Sequence, residues 1–506
     1  MISPSTPRLR IALASATTLA ALAGCGTPTA PGVADPASAG PAAYRSGDSA
    51  VEASSLVTPK GNVAGMNGSR YAPTNRSTFL AVSPDGGRVA IAWLHNDDGG
   101  EPTAYATVGN PKDAGSFTAP QVIGTRTMPY AAQASDYHRK YNTAHNAPFI
   151  VSGPSGGFLG LSVPMNANGY AQAMPATGYG YMASACDPGR TTFAPSRPAP
   201  VDNTAEGSSL SAMSGSVDGR HEAHLFGQGH LGAFQGGFGY QRQREGSASW
   251  ESVTLAAAYR PGWRYYFGEG SGYVAKSLND QGRNDLHAAF AWNEQGESPM
   301  YGLYYMKSRD GGRSWTNAAG QPLTLPLRHR QNDGPAAVIR ADLTSTAYGG
   351  EAPGHRSIDV SATDDGRPLI VRPRFTDSTR KSVQHFLYTW AGGRWQAMKV
   401  GPSVFWDAAG NGVAYNAKTK NVNVVLLDPG SRARPARVLR YHQSLDDAMG
   451  GREKWVESVI ATVPTTSYAS HLQVREVKNS RFVALFENNY RNPGKVEPLL
   501  LEVPMK

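Results

Sequence analysis

The chain has 506 residues, of which 57 are Gly, 36 Pro and only 2 Cys; 40% are hydrophobic and 17% charged. That is enough apolar material for a large core and too little charge for a disordered chain, and the Gly and Pro follow no triplet period, which excludes collagen. The formal net charge of +9 is spread along the chain without a Lys/Arg-rich block, so nucleic acid is a poor partner.

The first segment reads as an address. Arg8 and Arg10 precede a short apolar run from Ile11 to Leu22, and the run ends in Leu22-Ala23-Gly24-Cys25. This resembles a bacterial lipoprotein signal, in which residues 1–24 are removed and Cys25 is lipidated; an ordinary secretory signal is the alternative. The resemblance implies a cell-envelope protein held to a membrane by its lipid. Gly26, rather than Asp, implies the outer membrane if the cell is Gram-negative. With Cys25 lipidated, Cys186 has no disulfide partner. Residues 25–54 are rich in Pro, Ala, Gly and Ser and read as a flexible tether. After the first 25 residues no apolar run approaches the ~20 residues that span a bilayer.

Residues 55–506 carry a repeat. A turn of Asp, Gly, Asn or Ser, often followed by Gly or Arg, runs into a short apolar strand. The turns are Asp85-Gly86-Gly87-Arg88, Ser155-Gly156-Gly157, Asp218-Gly219-Arg220, Gln281-Gly282-Arg283, Asp365-Gly366-Arg367, Thr419-Lys420-Asn421 and Lys478-Asn479-Ser480. Each interval has room for four short strands and their turns. A four-stranded sheet cannot bury both faces alone, so it stacks on its neighbours. The expected fold is all-β, a seven-bladed β-propeller, with a pair of β-sandwiches as the alternative. Leu499-Leu500-Leu501-Glu502-Val503 reads as a last strand, expected to complete one blade with an N-terminal strand near Val51–Val57.

One turn is more specific. Ser308-Arg309-Asp310-Gly311-Gly312-Arg313-Ser314-Trp315 fits S-x-D-x-G-x-x-W. It resembles the Asp-box, or BNR repeat, of sialidase-like propellers, where the Asp and Ser bind turn amides and the Trp packs between strands. That resemblance implies a structural role and no part in catalysis. The stretch Gly282 to Trp292, with Leu303-Tyr304-Tyr305 and Trp315 to Gly320, resembles the BNR-repeat family that contains seven-bladed polysaccharide lyases, such as ulvan lyases and rhamnose–glucuronate lyases.

Such lyases cleave uronic-acid polysaccharides by β-elimination, which needs a base, an acid and a group that neutralises the uronate carboxylate. Thr143-Ala144-His145-Asn146-Ala147-Pro148 matches a family His-Asn-Pro pattern and nominates His145 as base and Asn146 as a carboxylate or sugar contact. Tyr273 occupies the place of a family acid, with Arg264 in the stretch before it. Tyr137-His138-Arg139-Lys140-Tyr141 joins cations to aromatics that can stack a sugar ring, through Tyr137 and Tyr141.

The chain also departs from the pattern. A second His is missing at Val163–Asn166, a Tyr is missing at Leu210–Met213, and the place of a carboxylate-binding Arg holds Gly227-Gln228-Gly229-His230. Gln228 and His230 remain as sugar contacts. A sialidase-type hydrolase is a third and weaker reading, because no early Arg-Ile-Pro occurs and Arg372-Pro373-Arg374 falls in the wrong blade. No zinc spacing, phosphate-binding loop or G-x-S-x-G turn is present, so no metal or cofactor is expected. The expectation is a monomeric, membrane-tethered lyase on an acidic polysaccharide, or else a non-catalytic propeller that binds a glycan or a protein.

Overall fold

A computed structural model describes residues 45–46, 80–95, 103–124, 149–153, 155–162, 179–200, 210–217, 222–229, 238–258 (save 246, 248, 252 and 253), 274–277, 285–293, 300–328, 331–339, 358–376, 382–405, 411–428, 435–462, 469–477, 481–488 and 497–506. A two-residue strand, β1 (Arg45–Ser46), comes first. Among the described residues, the remaining strands form seven sheets in chain order.

The first sheet is β2 (Leu80–Val82), β3 (Val89–His95), β4 (Thr103–Gly109) and β5 (Gln121–Gly124). The second is β6 (Phe149–Ser152), β7 (Phe158–Ser162), β8 (Tyr179–Cys186) and β9 (Arg197–Pro200). The third is β10 (Leu210–Val217), β11 (Ala223–Gly229), β12 (Phe238–Gln243) and β13 (Thr254–Ala258). The fourth holds β14 (Val274–Ser277), β15 (Leu286–Asn293) and β16 (Met300–Ser308); β17 (Leu327–Arg328) then leaves to pair in parallel with β13, and β18 (Ala337–Ile339) returns.

The fifth sheet is β19 (Asp359–Ala362), β20 (Pro368–Phe375), β21 (Ser382–Ala391) and β22 (Arg394–Phe405). The sixth is β23 (Asn411–Asn416), β24 (Asn421–Asp428), β25 (Arg437–Ser444) and β26 (Val456–Thr462), with a helical turn α1 (Leu445–Met449) between the last two. The seventh is β27 (Ala469–Val477), β28 (Arg481–Asn488) and β29 (Glu497–Pro504). Every turn phrase of the repeat falls between the first and second strand of a sheet.

The burial of β24 explains why this sequence stacks sheets. Its core reads Val422-Asn423-Val424-Val425-Leu426-Leu427, nearly continuous in apolar residues. Val422, Val424 and Leu426 pack with Leu369, Val371 and Met398 of the fifth sheet. Val425 and Leu427 point the other way and pack with Leu472 and Val474 of the seventh. A strand covered on both faces loses the polar alternation of a half-exposed one. Each such side chain contributes about 1.5–3 kcal/mol on burial. The same pairing joins the first sheet to the second, the third to the fourth, and the fourth to the fifth.

First strands lie beside one another: β2 touches β6, β6 touches β10, and so on through β14, β19, β23 and β27, and β27 touches β2. Gly412 on β23 permits one of these approaches, since a Cβ there would lie 2.2 Å from Val474 Cγ2.

The ends of the chain differ from expectation. β29 forms the expected last strand, antiparallel to β28. Residues 51–57, its expected partner, lie outside the described residues. The described N-terminal strand β1 instead pairs in parallel with β26 of the sixth sheet, so two residues of the expected tether are bound to the body. The tail beyond β29 is held by the β23–β24 hairpin: Asn416 Nδ2 donates to Met505 O (3.3 Å) and Thr419 Oγ1 to Lys506 O (2.9 Å).

Candidate functional site

Antiparallel pairing gives each sheet two ends. In the third sheet Leu210 lies opposite Gly229, Gln228 opposite Phe238, and Phe238 opposite Ala257. This end therefore gathers the start of the first and third strands and the finish of the second and fourth; it is called the loop end below. The other, the turn end, carries the repeat turns and the Asp-box, because Ser308 lies opposite Leu286, and Leu286 opposite Ser277.

The Asp-box is at the turn end, as its sequence implied, and its groups bind backbone. Ser308 Oγ donates to Asp310 Oδ1 (2.7 Å), and that oxygen accepts from the amides of Arg313 and Ser314 (both 2.9 Å). Burial pushes the Asp310 carboxyl up, but Ser314, Ser308 and the turn amides together hold it below its usual value. Gly312 adopts φ 83°, and a Cβ there would meet the Tyr240 hydroxyl, so Gly is required twice over. Trp315 is buried and packs edge-on against Phe226 (5.6 Å) and Tyr240 (5.4 Å) of the third sheet.

Two further turns reproduce the hydroxyl–carboxylate arrangement. Ser83 Oγ donates to Asp85 Oδ1 (2.6 Å) between β2 and β3, and Thr363 Oγ1 to Asp365 Oδ1 between β19 and β20. The Trp of the Asp-box also has counterparts that the repeat search missed. Phe117, Phe193, Trp250, Trp395 and Trp455 are buried just before or at the start of the fourth strands of their sheets. Trp395 stands edge-on to Tyr305 of the preceding sheet (5.6 Å), as Trp315 does to Tyr240. An aromatic a few residues after a Gly- or Pro-containing turn was the available signal.

Two buried histidines, His224 and His287, are held by tyrosine hydroxyls. Tyr240 donates to Gly311 O (3.0 Å), so its hydroxyl oxygen is the acceptor of the 2.9 Å bond to His224 Nδ1. His287 Nδ1 and the Tyr305 hydroxyl lie 2.6 Å apart in the fourth sheet, a second His–Tyr pair on the second and third strands. Arg242 joins this layer, forking onto Glu251 (2.8 and 3.1 Å) and reaching Gly311 O (3.2 Å).

On β20, toward the loop end, Arg372 and Arg374 are both buried. Arg372 Nη1 donates to Gly302 O of the fourth sheet, and the Arg374 guanidinium sits 4.9 Å over the Phe386 ring. Burial lowers the Arg372 guanidinium to about 10; Tyr388 opposes the shift and Arg374 adds to it. Cys186 is buried as a free thiol, and desolvation raises its pKa against the pull of Arg88. Among the described residues no group of three or more His, Cys, Asp or Glu side chains could hold a metal ion, and no helix is long and apolar enough to cross a membrane.

Most nominated residues lie outside the described residues: Cys25, Tyr137, Tyr141, His145, Asn146, His230, Arg264 and Tyr273. Gln228 is described through its backbone, as the second-last residue of β11, opposite Ser211 and Phe238. The strand termini that bound the others are described. His145 and Asn146 precede β6 by four and three residues, and Tyr137 and Tyr141 fall between β5 and β6. His230 follows β11 directly. Arg264 lies between β13 and β14, and Tyr273 immediately precedes β14. All of these termini are loop-end termini, and the sheets concerned adjoin, since β10 touches both β6 and β14.

Residues 235–402 match the profile of a BNR repeat-containing family member. No curated protein matches the chain. Among solved structures, an ulvan lyase of polysaccharide lyase family PL25, bound to -[GlcA(1-4)Rha3S]-, overlaps with a TM-score of 0.58 at 12% identity, over 85% of this chain and 94% of that one. Looser overlaps include the β-propeller domain of the Trilobed protease from Pyrococcus furiosus (TM-score 0.39, 10% identity, 84% of this chain and 94% of that one). They also include a Trypanosoma rangeli sialidase in complex with the inhibitor DANA (0.36, 9%, 84% and 54%). The chain is thus all-β, with a BNR-repeat segment and the fold of a solved polysaccharide lyase.

Proposed function

We propose that the chain is a seven-bladed β-propeller, lipid-anchored through Cys25 at the bacterial cell envelope, that cleaves a uronic-acid-containing polysaccharide by β-elimination at its loop end. The observation that carries the reading is the convergence of strand termini: the segments holding His145, Gln228, His230, Arg264 and Tyr273 all start or finish at the loop end of three adjoining sheets. A concave mouth served by several connections is where folds of this class bind ligands. The likeness to a lyase bound to a glucuronate-containing saccharide supports the substrate class.

In the proposed reaction Asn146 and Arg264 hold the uronate carboxylate, which makes the neighbouring C5 proton acidic. His145 removes that proton. The C5–H electrons form the C4=C5 bond, the C4–O bond breaks, and Tyr273 protonates the departing oxygen. Gln228, His230, Tyr137 and Tyr141 contact the flanking sugars. No cofactor enters this scheme.

A second reading is a glycan- or protein-binding propeller without turnover. The absent His at Val163–Asn166, the absent Tyr at Leu210–Met213 and Gln228 in the place of an Arg favour it. One assay separates the two. The protein is incubated with a panel of uronic-acid polysaccharides, and ultraviolet absorbance of the unsaturated product is followed. Turnover that disappears in His145→Ala supports the lyase; absence of turnover with retained glycan binding supports the second reading.

A further inference from the structure

The pairing of β1 with β26 has a direction, and the direction bears on how the body meets the membrane. Val456 begins β26 at the turn end: it lies opposite His442, two residues before the finish of β25, and Asn421 at the start of β24 lies opposite Ser444. Thr462 finishes β26 at the loop end, opposite Arg437. β1 runs parallel to β26, with Arg45 beside Val456 and Ser46 beside Glu457. Arg45 is therefore at the turn end, and the chain enters β1 there.

We propose that β1 is a docked strap that fixes the exit of the membrane tether at the turn end of the sixth sheet, so that the loop end faces away from the membrane. The inference rests on the proposed lipidation of Cys25. It also replaces the expectation of a wholly free tether over residues 25–54. Nineteen residues, twenty chain steps, separate Cys25 from Arg45. A stretch of that length spans at most about 70 Å. The strap also covers the first two residues of the outer edge of β26, as β17 covers two residues of β13, and a covered edge does not recruit strands from other chains. With the tether leaving from the turn end, a polymeric glycan approaching from outside meets the loop end first.

The test uses the full, lipidated chain in phosphatidylcholine vesicles that carry an energy-transfer acceptor in their headgroups. Arg394 and Ser403 are exposed positions at the turn and loop ends of one strand, β22. They are separated by about 30 Å along it. A donor dye on Arg394→Cys is expected to transfer several-fold more than the same dye on Ser403→Cys. Equal transfer, or more from Ser403→Cys, overturns the orientation. In a second variant, Ser46→Cys with Glu457→Cys is expected to cross-link on mild oxidation, whereas Ser46→Cys with Thr462→Cys is not. The reverse preference, or cross-linking of neither pair, overturns the strap. Protein that stays out of the vesicles overturns the anchoring reading itself and the orientation with it, and the cross-link still decides the strap.

Discussion

The turn end and the loop end of the sheets are built from different kinds of sequence. At the turn end, polar groups close on neighbours of the same sheet: Asp310 on its own turn amides, Asp85 on Ser83, Glu251 on Arg242 and Arg244. At the loop end, the connections 125–148 and 259–273 hold the residues proposed as base, acid and carboxylate-binding group, His145, Tyr273 and Arg264. The contrast separates two uses of polar residues. At one end they fix geometry locally; at the other, in the proposed function, they meet a ligand, and function resides in such sites in folds that serve many chemistries.

The sharpest way to break this contrast is to substitute at each end. His145→Ala at the loop end is expected to lower turnover about 10²–10⁴-fold, the range for loss of a general base, with the thermal midpoint unchanged. A midpoint that falls with activity would make His145 another structural histidine, like His224. At the turn end, Trp315→Ala is expected to cost about 3–5 kcal/mol of stability, read by denaturant unfolding. Folded protein that survives this change should keep its substrate affinity.

Smaller effects sharpen the picture. Asp310→Ala leaves two turn amides without their acceptor and is expected to cost about 1–3 kcal/mol. Loss of glycan binding without loss of stability would reverse the assignment of the Asp-box. Acid should weaken the turn end through its depressed carboxyls. The Asp85 carboxyl is lowered by Ser83; in Glu251, burial raises the carboxyl but Arg242 and Arg244 outweigh it; Asp447 is lowered to about 2 by Arg452, Ser444 and Lys454. Carboxyls depressed in the folded state lend stability at neutral pH that is lost as pH falls through their folded values. The unfolding midpoint should hold above pH ~5 and decline from about pH 4 toward pH 2, as followed by circular dichroism.

The same contrast governs what the sequence made legible. Asp-Gly-Arg turns and the S-x-D-x-G-x-x-W string are local codes, because a Gly at positive φ and a carboxylate on nearby amides need only a few consecutive residues. They located the second strand of each sheet and the role of Trp315. The aromatic series from Phe117 to Trp455 was missed because its turns vary in length while the packing position stays constant. The pairing of β1 with β26 was not legible, because two residues against a sheet edge leave no periodic signature. The proposed site rests on family resemblance at His145 and Asn146. Its residues come from connections far apart in the chain, and no local pattern ties Arg264 to His145.

The central claim is that the loop end alone meets the sugar, and hydrogen exchange with a bound uronic-acid oligosaccharide tests it most directly. The account predicts new amide protection in residues 125–148 and 259–273 and around Gln228–His230, with none at Ser308–Trp315. Protection concentrated on the Asp-box turn, or spread evenly over both ends, would contradict it.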